Sequence, residues 1–372
     1  MLLTLDMLCA GIRLKESLNF KRGVEMIDVS VIIASYNSAQ WLPSTIESLQ
    51  KAALHTSYKL EIIVVDDGST DDTRNVLFDL ASSSSIPIKI VSQPNQGRFL
   101  ARWAGVQASS GTNLLIFDSR ILMGEFSLKA LEMKRKEFSS SVAWNAHVNT
   151  DEVAPLVGRF WEVPTHIFWG GYLAKPKTTV LNSENFDYVP KGTTCFFVPK
   201  EAFVTACEAA WPEENSHLVS DDTKILRELL SKTEIVIEPT FVAIYRPRTT
   251  VKAFLKHAYD RGTLFVDSYA GTSTLRSIVL LALASAPVWL ASIFIVLAAV
   301  APQTILWALG ILIFAVFIVS PALALRNNCS LRAVAGFVLY LIPFAVVFWA
   351  GLLRGVVVHR SAFTRTQGNA SN

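Results

Sequence analysis

From residue 278 onward the sequence is almost wholly apolar. Three segments, 278–300, 304–325 and 333–353, each run about 20 residues without a charge, long enough for a helix to cross a hydrocarbon core. The short link Ala301-Pro302-Gln303 makes the first two a hairpin. Arg276, Arg326 and Arg332 then lie on the side of the preceding residues, as expected of a cytosolic face. If the third segment also spans, Arg354, Arg360 and Arg365 are carried to the other side, against that preference. Pro343 alternatively breaks it into a re-entrant pair of half-helices. The reading taken is a transmembrane region over 276–354 with three spans and a tail over 355–372.

The residues before this region read as a soluble protein with scattered charges. A net charge of +3 over 372 residues gives no clustered basic face for nucleic acid. Cys9, Cys195, Cys207 and Cys329 form no C-x-x-C pair, against a zinc site or a disulfide framework. Residues 1–25 carry their charges after the short apolar start, the reverse of a secretory signal. They read as a disordered leader or an over-extended start, because Met26 directly precedes IDVSVIIASYN.

Between them lies an α/β pattern. VSVIIA (29–34), LEIIVV (60–65), IPIKIV (86–91) and LLIF (114–117) are apolar, β-branched runs of strand length. Helical spacing follows the first at Leu42, Ile46, Leu49 and Ala53, the second at 73–81 and the third at 98–109. Strands alternating with helices imply a mostly parallel sheet covered by helices. Ser35-Tyr36-Asn37, Asp66-Asp67-Gly68-Ser69, Asn95-Gln96-Gly97-Arg98 and Asp118-Ser119-Arg120 each follow a strand's carboxyl end, the edge that forms the ligand crevice in open parallel sheets. Glycine-rich dinucleotide and P-loop motifs are absent. Carboxylates at Asp66 and Asp67 suit the ribose and base of a nucleotide. The diphosphate then belongs near a cation, either a metal held by Asp118 or Arg98, Arg102 or Arg120.

VSVIIASYN, EIIVVDDGSTDDT, NQGRFLARWAG and LLIFDSR, in that order and spacing, resemble the glycosyltransferase family 2 domain with the glycosyltransferase-A fold, over about residues 29–248. The resemblance implies a catalytic domain over 26–248, with a nucleotide-binding half (26–120) and an acceptor half (121–248). It implies donor binding by Ser35, Tyr36, Asn37, Asp66, Asp67, Asn95, Gly97, Arg98, Arg102, Asp118 and Arg120, with a UDP-sugar as the favoured donor. In the family a D-x-D pair holds Mg²⁺ or Mn²⁺ on the diphosphate. Here Arg120 stands in place of the second acid, so the expectation is a weakened cation site on Asp118.

In LVSDDTKILRELLS, Ser220 suits a helix N-cap ahead of the stripe Ile225, Leu226, Leu229 and Leu230. Asp221 and Asp222 are compatible with first-turn acids stabilised by the helix dipole. The resemblance implies more: an acidic pair opening a helix, with Asp222 as general base and Asp221 beside it. A single base without a carboxylate nucleophile implies displacement with inversion.

Residues 249–275 place Val251, Phe254, Leu255, Ala258, Phe265, Val266 and Tyr269 on one side, with Lys252, Lys256, His257 and Arg261 between. That suits a helix at an anionic membrane surface, and equally an amphipathic core helix. With the anchor, the resemblance implies an inner-membrane enzyme with a cytosolic catalytic domain, acting on a lipid-linked saccharide in envelope polysaccharide assembly. No QxxRW follows Asp222, which favours one sugar per encounter. Two alternatives stand: a polyprenyl-phosphate glycosyltransferase, and a catalytically dead binding subunit.

Overall fold

The computed structural model describes residues 26–138, 142–212 and 222–364. The leader 1–25, Ser220, Asp221 and the tail from 365 lie outside them.

The four apolar runs are strands β1 (Val29–Ser35), β2 (Leu60–Asp67), β3 (Ile88–Gln93) and β4 (Asn113–Phe117). They lie parallel in the order β3-β2-β1-β4. The helices between them are α1 (Leu42–Ala53), α2 (Thr73–Ser83) and α3 (Arg98–Ala108). Side chains alternate across the sheet. Val31, Ile33, Ile62 and Val64 pack one way, on Leu42, Ile46 and Leu49 of α1 and Leu77 of α2. Ile32, Ile63 and Val65 pack the other way, on Phe99 and Val106 of α3. Ile32, Ile33, Ile62 and Ile63 are fully buried, each stabilising the domain by roughly 2 kcal/mol. α3 lies close on the sheet at Gly105, where a Cβ would come 2.5 Å from Ile32 Cγ2.

Beyond β4 the sheet is mixed, a departure from the mostly parallel expectation. The later strands are β5 (Ile121–Met123), β6 (Ala143–Thr150), β7 (Thr179–Leu181), β8 (Cys195–Pro199) and β9 (Ile235–Tyr245). β8 is antiparallel to both β4 and β6, while β6 and β9 run parallel. Helix α4 (Ser127–Arg135) covers the first face, and α5 (Lys200–Ala209) and α6 (Thr223–Leu230) cover the second.

The rest is helical: α7 (Val251–Tyr269), α8 (Thr274–Val300), α9 (Gln303–Arg326) and α10 (Leu331–Val358). The last three are each long and apolar enough to cross a membrane. α9 widens into a π turn at Ala315–Val319. α10 continues through Pro343, so the re-entrant pair of half-helices does not form. Arg276 and Arg332 both reach the α/β domain, at Asp187 (2.6 Å) and at the Glu152 carbonyl (2.9 Å), so these helix ends sit on its side.

The stripe of α7 is covered mainly by α10. Phe254 packs beside Phe337 and Phe344, and Val266 beside Leu352. The backbones nearly touch: a Cβ on Gly351 would come 2.0 Å from the Tyr259 carbonyl, and one on Gly262 2.3 Å from that of Phe348. Thr263 Oγ1 donates to the Gly351 carbonyl at 3.0 Å.

Candidate active site

The first two loops lock together. Asn37, at φ 50°, accepts from the Thr70 amide at 2.8 Å and donates its own amide to Ser69 Oγ at 2.9 Å. Asp66 Oδ1 accepts from the Ser69 amide at 3.0 Å. Asp67 is turned inward: Oδ1 accepts from Gln93 Nε2 (2.7 Å) and the Gln96 amide (2.9 Å), and Oδ2 from the Gly97 amide (3.0 Å). Asp67 therefore fastens the third loop to the second. Gly68 permits this close approach, with φ 72° and a would-be Cβ 2.7 Å from the Asn95 amide. Tyr36 is half exposed, while the Ser35 hydroxyl is buried without a partner among the described residues. Asn95 and Arg98 are exposed at the same edge, and Gly97, at φ 89°, opens α3.

The fourth loop differs most from the expectation. Arg102, 3% exposed, donates to Asp118 Oδ1 at 2.7 Å and to Thr193 Oγ1 at 2.6 Å. Arg120 lies over the Trp41 ring at 4.3 Å and donates to the carbonyls of Arg246 (2.9 Å) and Pro247 (2.7 Å). Arg246 answers from beneath, donating to the carbonyls of Trp41, Ser119 and Arg120 and to the hydroxyls of Ser44 and Thr45. Sequence reasoning missed this strap and Thr193. The run Arg246-Pro247-Arg248 directly after β9 was the available signal.

The field here is positive. Burial, then Arg248, pushes Arg120 down to about 10. Burial, then Arg248, Arg261, Arg98 and Arg120, holds the His257 imidazole well below its usual range and hence neutral. Among the described residues no group of three or more His, Cys, Asp or Glu is placed to hold a metal ion. Asp118 offers one carboxylate, with one oxygen already on Arg102. A divalent cation there would take its remaining oxygen ligands from donor phosphates and water.

Asp222 is the N-cap of α6, with Oδ1 accepting from the Thr223 amide at 2.5 Å and its hydroxyl at 3.0 Å. The cap is thus Asp222, in place of the expected Ser220. Residues 191–194 link it to the fourth loop. Thr193 meets Arg102, the Thr194 carbonyl accepts from the Asp118 amide at 3.0 Å, and Asp222 acts electrostatically on Lys191.

A parallel sheet with nucleotide-suited loops at its carboxyl edge, joined to an antiparallel half bearing an acid-capped helix, defines a glycosyltransferase-A fold. Residues 30–119 match the family model of Glycosyl transferase family 2. An uncharacterized glycosyltransferase of Nostoc sp. is 38% identical over 91 residues, 24% of this chain and 27% of that protein. The undecaprenyl-phosphate 4-deoxy-4-formamido-L-arabinose transferase of Pseudomonas savastanoi pv. phaseolicola is 33% identical over 92 residues, again 24% and 27%. The alignment thus spans about a quarter of these relatives' length. Among solved structures, the mannosyltransferase PcManGT from Pyrobaculum calidifontis, in complex with GDP-Man and Mn²⁺, superposes with a TM-score of 0.53. It is 16% identical, over 85% of this chain and 88% of that one, a likeness of fold.

Proposed function

We propose that the chain is an inverting glycosyltransferase that moves a sugar from a nucleotide-sugar donor to a lipid-linked acceptor at a membrane surface. The observation that carries this is the convergence of the four loops at one sheet edge, with residues 191–194 running from Asp118 to the neighbourhood of Asp222. Tyr36 and Asp66 receive the nucleoside. Arg98, Arg120 and Arg248 supply positive charge for the leaving diphosphate, in place of a cation on Asp118. Asp222 accepts the proton of the attacking hydroxyl, while capping holds its carboxylate at the start of α6. Asp221 stands beside it in sequence and takes the secondary role. A lipid-borne acceptor is supported by the apolar helices and by the name of the undecaprenyl-phosphate relative. The test is Asp222→Asn, which keeps the shape and removes the base. Turnover should fall about 10²- to 10⁴-fold with donor binding unchanged. Near-full activity would leave Asp222 a cap alone.

The membrane placement supported best is two spans and one in-plane helix, on the inner membrane with the α/β domain in the cytosol. α8 and α9 form the hairpin. α10 lies along α7, which carries Lys252, Lys256, Asp260 and Arg261, and meets α8 near one crossing, where Trp349 Nε1 donates to the Ala284 carbonyl at 2.9 Å. Val338, Leu339, Ile342, Val346, Leu353 and Val357 of α10 stay exposed, a stripe suited to the acyl boundary. This placement keeps Arg354 and Arg360 on the cytosolic side, which three spans do not.

A further inference from the structure

Where the α/β domain meets the first spanning helix, three cations surround one carboxylate. Arg276, in the first turn of α8, holds Asp187 Oδ2 at 2.6 Å. Arg227 of α6 stands 3.7 Å and Lys191 4.0 Å from Asp187 Oδ1. The cations pack on two aromatic rings. Lys191 Nζ is 4.1 Å from the centre of Phe186, Arg227 is 5.4 Å from both Phe186 and Tyr269, and Arg276 is 5.8 Å from Tyr269. Asp187 answers only part of this charge, and Asp222 acts on Lys191 as well, so the cluster keeps an excess of positive charge.

Its hydrogen bonding is also incomplete. Arg227 Nη1 donates to the Ser268 carbonyl at 3.2 Å, while Arg227 Nη2 and Asp187 Oδ1 face each other at 3.7 Å, both buried and neither with a hydrogen-bond partner among the described residues. Two buried polar atoms short of a hydrogen bond are costly. Burial pushes Lys191 down to about 8, and burial followed by Arg276 lowers Arg227. A cavity of about 640 Å³ opens here, lined by Asp187, Arg227, Lys232, Glu234 and Arg276 among others.

We propose that Arg227 and Arg276, with Lys191 adding positive charge from outside the cavity wall, form a binding site for the phosphate group of a membrane lipid. A phosphate supplies both the missing charge and the acceptors: guanidinium forks bind its oxygens in pairs, and an ammonium adds a point charge. Arg276 fixes the depth, because α8 enters the apolar layer directly after it, so the site lies at headgroup level. On the proposed glycosyltransferase reading the site has a use. Arg227 lies on the helix that Asp222 caps, so a lipid held there keeps a lipid-borne acceptor beside the base.

The experiment is equilibrium binding of radiolabelled phosphatidate and phosphatidylcholine to the purified full chain in mixed micelles. Soluble pyrophosphate is the competitor. Phosphatidate should bind selectively, and pyrophosphate should compete only weakly. Arg227→Gln with Arg276→Gln should weaken phosphatidate at least about 10-fold. Asp187→Asn, which removes the resident acid, should tighten it. Equal binding of the two lipids overturns the proposal, as does unchanged affinity in the double variant, weaker binding in Asp187→Asn, or strong binding of pyrophosphate alone. Because binding is read without turnover, selective lipid binding in a chain that transfers no sugar would sink the enzymatic reading and leave this one standing.

Discussion

Arg102→Met is the sharpest test of the fourth loop. The methionine keeps most of the buried stem's volume and removes the guanidinium, and with it the bonds of 2.7 Å to Asp118 and 2.6 Å to Thr193. A bond to a charged partner contributes about 1.5–3 kcal/mol, and the neutral one about 1 kcal/mol. The Asp118 side chain is 23% exposed, so water recovers part of the first. The expected loss is about 2–3 kcal/mol. For an α/β domain of this size that lowers the thermal midpoint by about 4–12 °C, read as loss of ellipticity or by differential scanning fluorimetry on the full chain in detergent. A midpoint within about 1 °C of the parent would refute the claim that Arg102 holds Asp118.

Gly351→Val places a side chain against the Tyr259 carbonyl and should separate α7 from α10 at a cost of about 3 kcal/mol, seen as a lower melting midpoint or reduced yield of folded chain. Activity of the parent should persist in excess EDTA and be lost in Arg120→Ala; abolition by chelator would restore a cation to Asp118. Lys191 binds its proton less tightly folded than unfolded, so unfolding takes up a proton and stability should rise between about pH 8 and pH 10. Lys191→Met should flatten that rise in a pH series of melts. Reporter fusions after residue 364 should place the carboxyl end on the same side as the α/β domain; the opposite side would establish three spans.

The sheet edge was legible because β1, β2 and β4 are continuous apolar runs ending abruptly in polar residues, the pattern of strands buried on both faces; β3, the edge strand, carries Lys89 in an alternating run. All four parallel strands lie where these patterns put them. What local pattern could not give was the partner of each polar side chain. Asp67 looks like a ribose ligand, yet its oxygens meet Gln93, Gln96 and Gly97, a choice made by how the third loop folds back. Arg120 and Arg246 are 126 positions apart, and their mutual strap exists only once β5 has paired with β9. The stripe on α7 was equally readable, but a bilayer and a second apolar helix satisfy such a stripe alike. Gly262 and Gly351 decide for the helix by letting the two backbones touch.

The central claim is tested most directly by giving the purified chain, in lipid nanodiscs, a panel of nucleotide-sugars with a lipid-linked acceptor. Nucleoside diphosphate release would be followed, and the anomeric configuration of the product determined. The account predicts release with at least one donor, a product of inverted configuration, and loss of both signals in Asp222→Asn. A product of retained configuration, or no release from any donor in the presence of acceptor, would contradict it.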